Sequence, residues 1–271
     1  MSKTYRFGFI GAGAMASAIA GGMIKQGLSN GSDIIMSDCS AEKLQELHNT
    51  LGIQPASDNN QVVSEAQYII VAVKPQQFAA VCNDLSVKPQ NHQAVISIMA
   101  GVTMDTLSAQ LGDIPIFRVM PNTPAKIGWG MTGITAGVHT TEEQKQVVAD
   151  IFNSVGKTVF VDETYMDAVC ALSGSGPAYM YQILEAMADG AVLCGLPRNT
   201  AYQLAAQTMA GSAMMLLETG EHPGVLKDQV TSPAGTTICG LRAMEEHGVR
   251  SAMIEAVEKA YIRSKELGEK K

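Results

Sequence analysis

Two stretches of this chain carry residue types that can hold an anionic ligand without a charged side chain. The first is "RFGFIGAGAMASAIAGGMIKQG", in which no charged residue occurs from Phe7 to Ile24. Within it Gly11, Gly13 and Ala16 form a GxGxxA pattern. Gly11 permits a tight turn, Gly13 lets a pyrophosphate approach the backbone, and Ala16 allows close packing of a helix on a strand. The helix that begins at Ala14 would offer unpaired N–H groups and a partial positive charge to phosphates. The second stretch is "TSPAGTT", Thr231 to Thr237. It is small, hydroxyl-bearing and opens a helix, so the Thr236 and Thr237 N–H groups and the Ser232 and Thr237 hydroxyls can receive a carboxylate. An ordinary capped helix start has the same composition.

Two more positions carry chemistry. Asp38 stands 27 positions after Gly11, at the end of the second strand. It either binds adenosine ribose hydroxyls, repelling a 2′-phosphate, or caps the helix from Ala41. Lys74 and Pro75 in "VAVKPQQF" sit at a carboxyl end of the sheet, where cofactors lie in such folds; a solvated lysine in a turn is the alternative.

The surrounding elements decide between these uses. Short apolar runs read as strands at Tyr5–Ile10, Asp33–Ser37, Tyr68–Val73, Ala94–Met99, Ile116–Met120 and Lys157–Val161. Helical stretches alternate with them, including Ala14–Gly27, Ala41–Leu51, Met104–Leu111 and Thr141–Ser154. That order implies a parallel sheet covered on both faces. A membrane span and a cleaved leader also compete for the opening stretch. Five glycines weaken the span, and cleavage would remove the first strand of a complete alternating unit. Strand, glycine turn and helix in succession favour the nucleotide loop. After residue 165 the strands stop, and helices are expected at Pro177–Gly195, Arg198–Thr219, Thr236–His247 and Arg250–Gly268. The first is apolar around most of its circumference, with Gln182, Glu185 and Asp189 as its polar stripe. A helix of that kind is buried almost all round, and a partner chain is the expected cover.

Composition sets the outer limits. Of 271 residues, 46% are hydrophobic and 17% charged, which suits two domains with a large core. A net charge of -7 without a basic run argues against a nucleic-acid surface. The five cysteines form no CxxC and read as reduced thiols, mostly in apolar surroundings. The histidines are dispersed, so no metal site is expected.

"LSGSGPAY" (Leu172 to Tyr179) and "EHPGVLKDQVTSPAGTTICGL" (Glu221 to Leu241) are more specific. With "FIGAGAM", "AVKPQ", "AGVT" and "RVMPNTPA", in that family's order, the chain resembles pyrroline-5-carboxylate reductase along essentially its whole length. The resemblance implies an α/β fold: an N-terminal Rossmann-type dinucleotide-binding domain, residues 1–162, and a C-terminal all-helical dimerisation and substrate domain, residues 163–271. It implies reduction of 1-pyrroline-5-carboxylate to proline with NADPH or NADH, in a cytoplasmic homodimer or larger oligomer without nucleic-acid or membrane partners. By position, Gly11, Ala12, Gly13, Ala14 and Met15 would meet the pyrophosphate. Asp38 and Cys39 would lie near the adenosine ribose, Asn59 near the adenine, and Val73, Lys74 and Ala100 near the ribose and nicotinamide. Ser232, Thr236 and Thr237 would hold the substrate, with Thr237 as the catalytic candidate. Many relatives favour NADPH and lack an acid where Asp38 stands, and the family usually has Gly where this chain has Ala234.

The chemistry agrees with that assignment. An imine protonates near neutral pH and is then already an electrophile, so the "TSPAGTT" segment needs no His, Lys, Asp or Glu. A 3-hydroxyacid dehydrogenase has a similar plan but places a lysine in the helix after its serine–glycine motif. Pro177 to Gly195 contains none. A non-catalytic nucleotide sensor would not need the "SPAGTT" site.

Overall fold

The computed structural model describes residues 4–269; the outer ends of the two expected domains, residues 1–3 and 270–271, lie outside them. The chain divides into two compact units, one of residues 4–175 with 260–269 and the other Gly176–Lys259.

The first unit alternates strand and helix: β1 (Tyr5–Ile10), α1 (Ala14–Lys25), β2 (Ile34–Ser37), α2 (Ala41–Leu51), β3 (Gln54–Pro55), α3 (Asn59–Glu65), β4 (Ala66–Val71), α4 (Phe78–Asp84), β5 (Ala94–Ser97), α5 (Met104–Leu111), β6 (Ile116–Met120), β7 (Gly130–Ala136), α6 (Glu142–Asn153) and β8 (Gly156–Phe160). The strands form one sheet in the order β3-β2-β1-β4-β5-β6-β7-β8. Every pair is parallel except β6 with β7, which run antiparallel, so the all-parallel expectation is corrected there. A connection of only nine residues, 121–129, joins β6 to β7, too short for the helical crossover a parallel pair needs.

Both faces of the sheet are covered. Phe7, Phe9, Phe117 and Phe152 pack on one face with Ile19 and Met23 of α1 and Leu44 of α2. Val62, Phe78, Leu107 and Leu111 bring α3, α4 and α5 onto the other. Helix starts follow their caps: the Ser40, Thr103 and Thr141 hydroxyls accept from the backbone N–H three residues on.

Beyond β8 come α7 (Met166–Val169) and a π-turn over Cys170–Gly174, still in the first unit. The second unit holds α8 (Gly176–Leu193), α9 (Arg198–Thr219), α10 (Pro223–Gln229), α11 (Thr236–Glu246) and the start of α12 (Val249–Glu269). The expected all-round cover of α8 does not come from its own chain: only Ala188 is buried, while Tyr181, Met187 and Leu193 are exposed. Cysteine placement also differs from expectation. Cys82 is buried and Cys170 half-buried, but Cys39, Cys194 and Cys239 are exposed; all five are free thiols.

Candidate functional site

The order of strands places a topological switch at β1 and β4. From β1 the chain moves outward to β2 and β3, then returns to β4 on the other side. The crevice outside the carboxyl ends of β1 and β4 is where ligands lie in open α/β sheets. The glycine loop sits at that point. The Gly11 N–H donates to the Ser37 carbonyl at 2.8 Å, and Ala72 N–H to the Ile10 carbonyl at 2.8 Å, so the ends of β1, β2 and β4 are tied together.

Gly11 has φ of +103°, and a Cβ there would meet the Ala72 carbonyl oxygen at 2.8 Å. Only glycine fits that turn without strain. Gly13 is the contrary case. A Cβ on it would meet nothing within 4 Å, so the space over its backbone is open. Gly13 is also the N-cap of α1, with no side chain capping the helix, and Ala14 is exposed. Ala16 is fully buried against the sheet, as its small side chain allows.

Asp38 uses both its oxygens locally. Its Oδ2 accepts from Ala12 N–H at 2.7 Å, and its Oδ1 accepts from Ser40 N–H at 2.9 Å. Burial pushes the carboxyl up, but those two N–H donors and the Lys43 charge outweigh it, and the net shift is downward. Helix α2 is capped by Ser40, not by Asp38. Ser37 Oγ donates to Asn59 Oδ1 at 2.7 Å, which draws the start of α3 to the same place. Gly11 to Met15, Asp38, Cys39 and Asn59 are therefore neighbours. Val73 adjoins Gly11, whose added Cβ would lie 3.3 Å from its Cγ1. Lys74 is exposed beyond β4, opening a short helical turn at Pro75. Ala100 is exposed beyond β5.

The second group lies in the second unit. Gly235 N–H donates to the Ser232 carbonyl at 3.1 Å, closing a turn with Pro233 and Ala234 at its centre. Ala234 has φ of +55°, the one non-glycine residue with positive φ among the described residues. A left-handed alanine costs roughly 1–2 kcal/mol, which accounts for glycine being usual there in the family it resembles. The turn delivers the chain into α11, whose N-cap Gly235 provides no side-chain cap. Ser232 and Thr236 are exposed and Thr237 is half-buried at this helix start.

A cavity of about 1010 Å³ in the first unit lies between α5, α6 and the ends of β7 and β8. None of the residues expected from the sequence lines it.

Sequence reasoning passed over two buried polar groups. Arg118 on β6 is 5% exposed and pairs with Glu163 at 3.1 Å and Asp167 at 3.7 Å. Asn122, in the quoted "RVMPNTPA", bonds Ser173 and Met131. An asparagine directly after a proline at a strand's carboxyl end was the signal available for the second.

Comparison with known proteins accounts for this arrangement over the whole length. Residues 163–267 match the family described as pyrroline-5-carboxylate reductase dimerisation, and residues 6–101 that described as NADP oxidoreductase, coenzyme F420-dependent. A pyrroline-5-carboxylate reductase of Methanosarcina acetivorans is 48% identical over 99% of this chain and 100% of its own. The chain belongs to the pyrroline-5-carboxylate reductase family. The Escherichia coli reductase is 44% identical over 97% of this chain and 98% of its own. Among solved structures, the Coxiella burnetii reductase superposes with a TM-score of 0.91 at 36% identity, covering 98% of this chain and 99% of that one. The Plasmodium falciparum reductase, solved with NADP bound, gives 0.88 at 31% identity, covering 99% and 100%.

Proposed function

We propose that this protein reduces 1-pyrroline-5-carboxylate to L-proline by hydride transfer from NADPH, the last step of proline biosynthesis. The observation that carries this reading is the 48% identity to a named reductase across the full length of both chains. NADPH is favoured over NADH by the NADP oxidoreductase match and by the relative solved with NADP. The residues fit the group. Open space over Gly13 and an uncapped α1 suit a pyrophosphate, and Asp38 fastens the glycine loop through Ala12 N–H. Lys43 adds a positive charge on that side.

In this reading Gly11, Ala12, Gly13, Ala14 and Met15 receive the pyrophosphate, with Asp38, Cys39 and Asn59 toward the adenosine. Val73, Lys74 and Ala100 flank the ribose and nicotinamide. When bound, NADPH supplies a hydride from carbon 4 of its nicotinamide. The protein's part is to hold the imine carbon in line and exclude water. Ser232, Thr236 and Thr237 at the start of α11 take the substrate carboxylate and ring nitrogen, and Thr237 is the catalytic candidate. Its hydroxyl orients the ring nitrogen and can pass it a proton; no stronger acid is required of the loop.

The domain assignment, residues 1–162 for the dinucleotide and 163–271 for dimerisation and substrate, belongs to the same proposal, as does a cytoplasmic location. Among the described residues no helix is long and apolar enough to cross a membrane. Self-association as a dimer or a multiple of it is supported by the dimerisation-family match and by exposed Leu193, Leu204 and Leu217 on α8 and α9.

Thr237→Val tests the substrate loop. It keeps the shape and removes the hydroxyl, so kcat/KM is expected to fall by roughly 1–3 kcal/mol of transition-state binding. NADPH affinity should stay at the parent value. Unchanged kcat/KM would reduce Thr237 to a helix-start residue.

A further inference from the structure

The "RVMPNTPA" and "LSGSGPAY" motifs meet in space, and no role above uses their meeting. Asn122 lies two residues past the end of β6 and is 9% exposed. Its Oδ1 accepts from Met131 N–H at 3.0 Å, and its Nδ2 donates to the Ser173 carbonyl at 3.0 Å. One amide thus joins the carboxyl end of β6, the start of β7 and the turn over Cys170–Gly174. That turn is a π-turn, closed by Ser175 N–H on the Cys170 carbonyl at 2.9 Å. The residue four on from Ser173 is Pro177, which has no backbone N–H, so the Ser173 carbonyl has no helical donor there. The Asn122 amide N–H meets that carbonyl. The turn also lies tightly on β6: a Cβ on Gly174 would meet Met120 Cε at 2.6 Å.

The location gives this clamp a use. With the adenosine side over β2, the nicotinamide half of the crevice extends over β4, β5 and β6. Pro121 and Asn122 follow the carboxyl end of β6 and so border that half. We propose that Asn122 is a positioning residue for hydride transfer: its amide holds the π-turn against the end of β6 and so fixes the wall of the crevice beside the nicotinamide. This rests on the crevice being the NADPH site. A misplacement of about 1 Å at such a wall lowers transfer by about a hundredfold without affecting the distant adenosine and pyrophosphate contacts.

Asn122→Asp is nearly isosteric. It keeps an acceptor for Met131 N–H but sets a carboxylate against the Ser173 carbonyl. Parent and variant are compared for NADPH affinity, kcat with 1-pyrroline-5-carboxylate, and the primary isotope effect with 4-deuterated NADPH. Expected are an affinity within about twofold of the parent, a kcat lower by about tenfold to a hundredfold, and a raised isotope effect. Gly174→Ala reads the same contact from the turn, since Met120 must give way, and should show the same signature more weakly. It decides the matter if Asn122→Asp does not fold. A folded variant with parental kcat and isotope effect, and only a lower melting temperature, would make the clamp merely structural. An inactive parent would overturn the reductase reading itself, and this proposal with it.

Discussion

Gly11→Ala is expected to lose both stability and nucleotide affinity, whereas Gly13→Ala loses affinity alone. The contrast comes from what each new methyl meets. At Gly11 the protein itself objects: φ is +103° and the Ala72 carbonyl oxygen is 2.8 Å away. Strain of that kind costs of order 1–3 kcal/mol, and the loop must move off the end of β4 to relieve it. At Gly13 the methyl enters space that no protein atom occupies. Only a bound pyrophosphate would object. Both variants should raise the NADPH Kd by about a hundredfold, or roughly 2.7 kcal/mol. Thermal unfolding separates them, with a lower Tm for Gly11→Ala and a parental Tm for Gly13→Ala. A Gly13→Ala protein with parental affinity would remove the glycine loop from the site.

Arg118→Ala should be the most destabilising removal of a charged side chain in the first unit. The Arg118 side chain is 6% exposed, and it faces two carboxylates at once. Each has a further task. Glu163 Oε1 also accepts from Met104 N–H at 2.6 Å at the start of α5, and Asp167 Oδ1 accepts from Ser264 Oγ at 2.7 Å near the end of α12. Removing the cation leaves two acids without their partner and a cavity beside them. Breaking a buried pair costs roughly 3–5 kcal/mol; the carboxylates keep some solvent, so about 2–3 kcal/mol is expected. That corresponds to a Tm lower by roughly 4–10 °C at fixed protein concentration. The exposed Arg198–Asp189 pair is the control. It is shorter, at 2.5 Å, yet its side chains are 42% and 60% exposed. Arg198→Ala should leave the Tm at the parental value, because burial outweighs distance here. Equal effects of the two substitutions would contradict this account.

Local signals made much of the fold legible. Helices α2, α5 and α9 begin and end where their periodicity places them, because a capping hydroxyl or a glycine marks the boundary: Ser40 and Gly52 bound α2, and Gly220 follows α9 with φ of +67°. Strand β4 runs from Ala66 to Val71 instead of Tyr68 to Val73; the Ala72 N–H still bonds the Ile10 carbonyl, and a short helical turn begins at Pro75. The strand β7 escaped notice because "GMTGITA" is rich in small residues and lies where a helix was the pattern. Arg118 was illegible for a different reason. An arginine inside a strand reads as solvent-facing, and its partners lie 45 and 49 positions away. At the site, the glycine turn was legible as a local motif. The hold of Asp38 on Ala12 N–H was not, because it depends on how β1 and β2 are placed.

The central claim is the reaction itself. The most direct measurement follows the near-ultraviolet absorbance of NADPH when 1-pyrroline-5-carboxylate is added to the purified full chain, with proline identified in the product. The account predicts enzyme-dependent loss of NADPH matched mole for mole by proline. Folded protein that oxidises neither NADPH nor NADH above background, at any imine concentration, would contradict it.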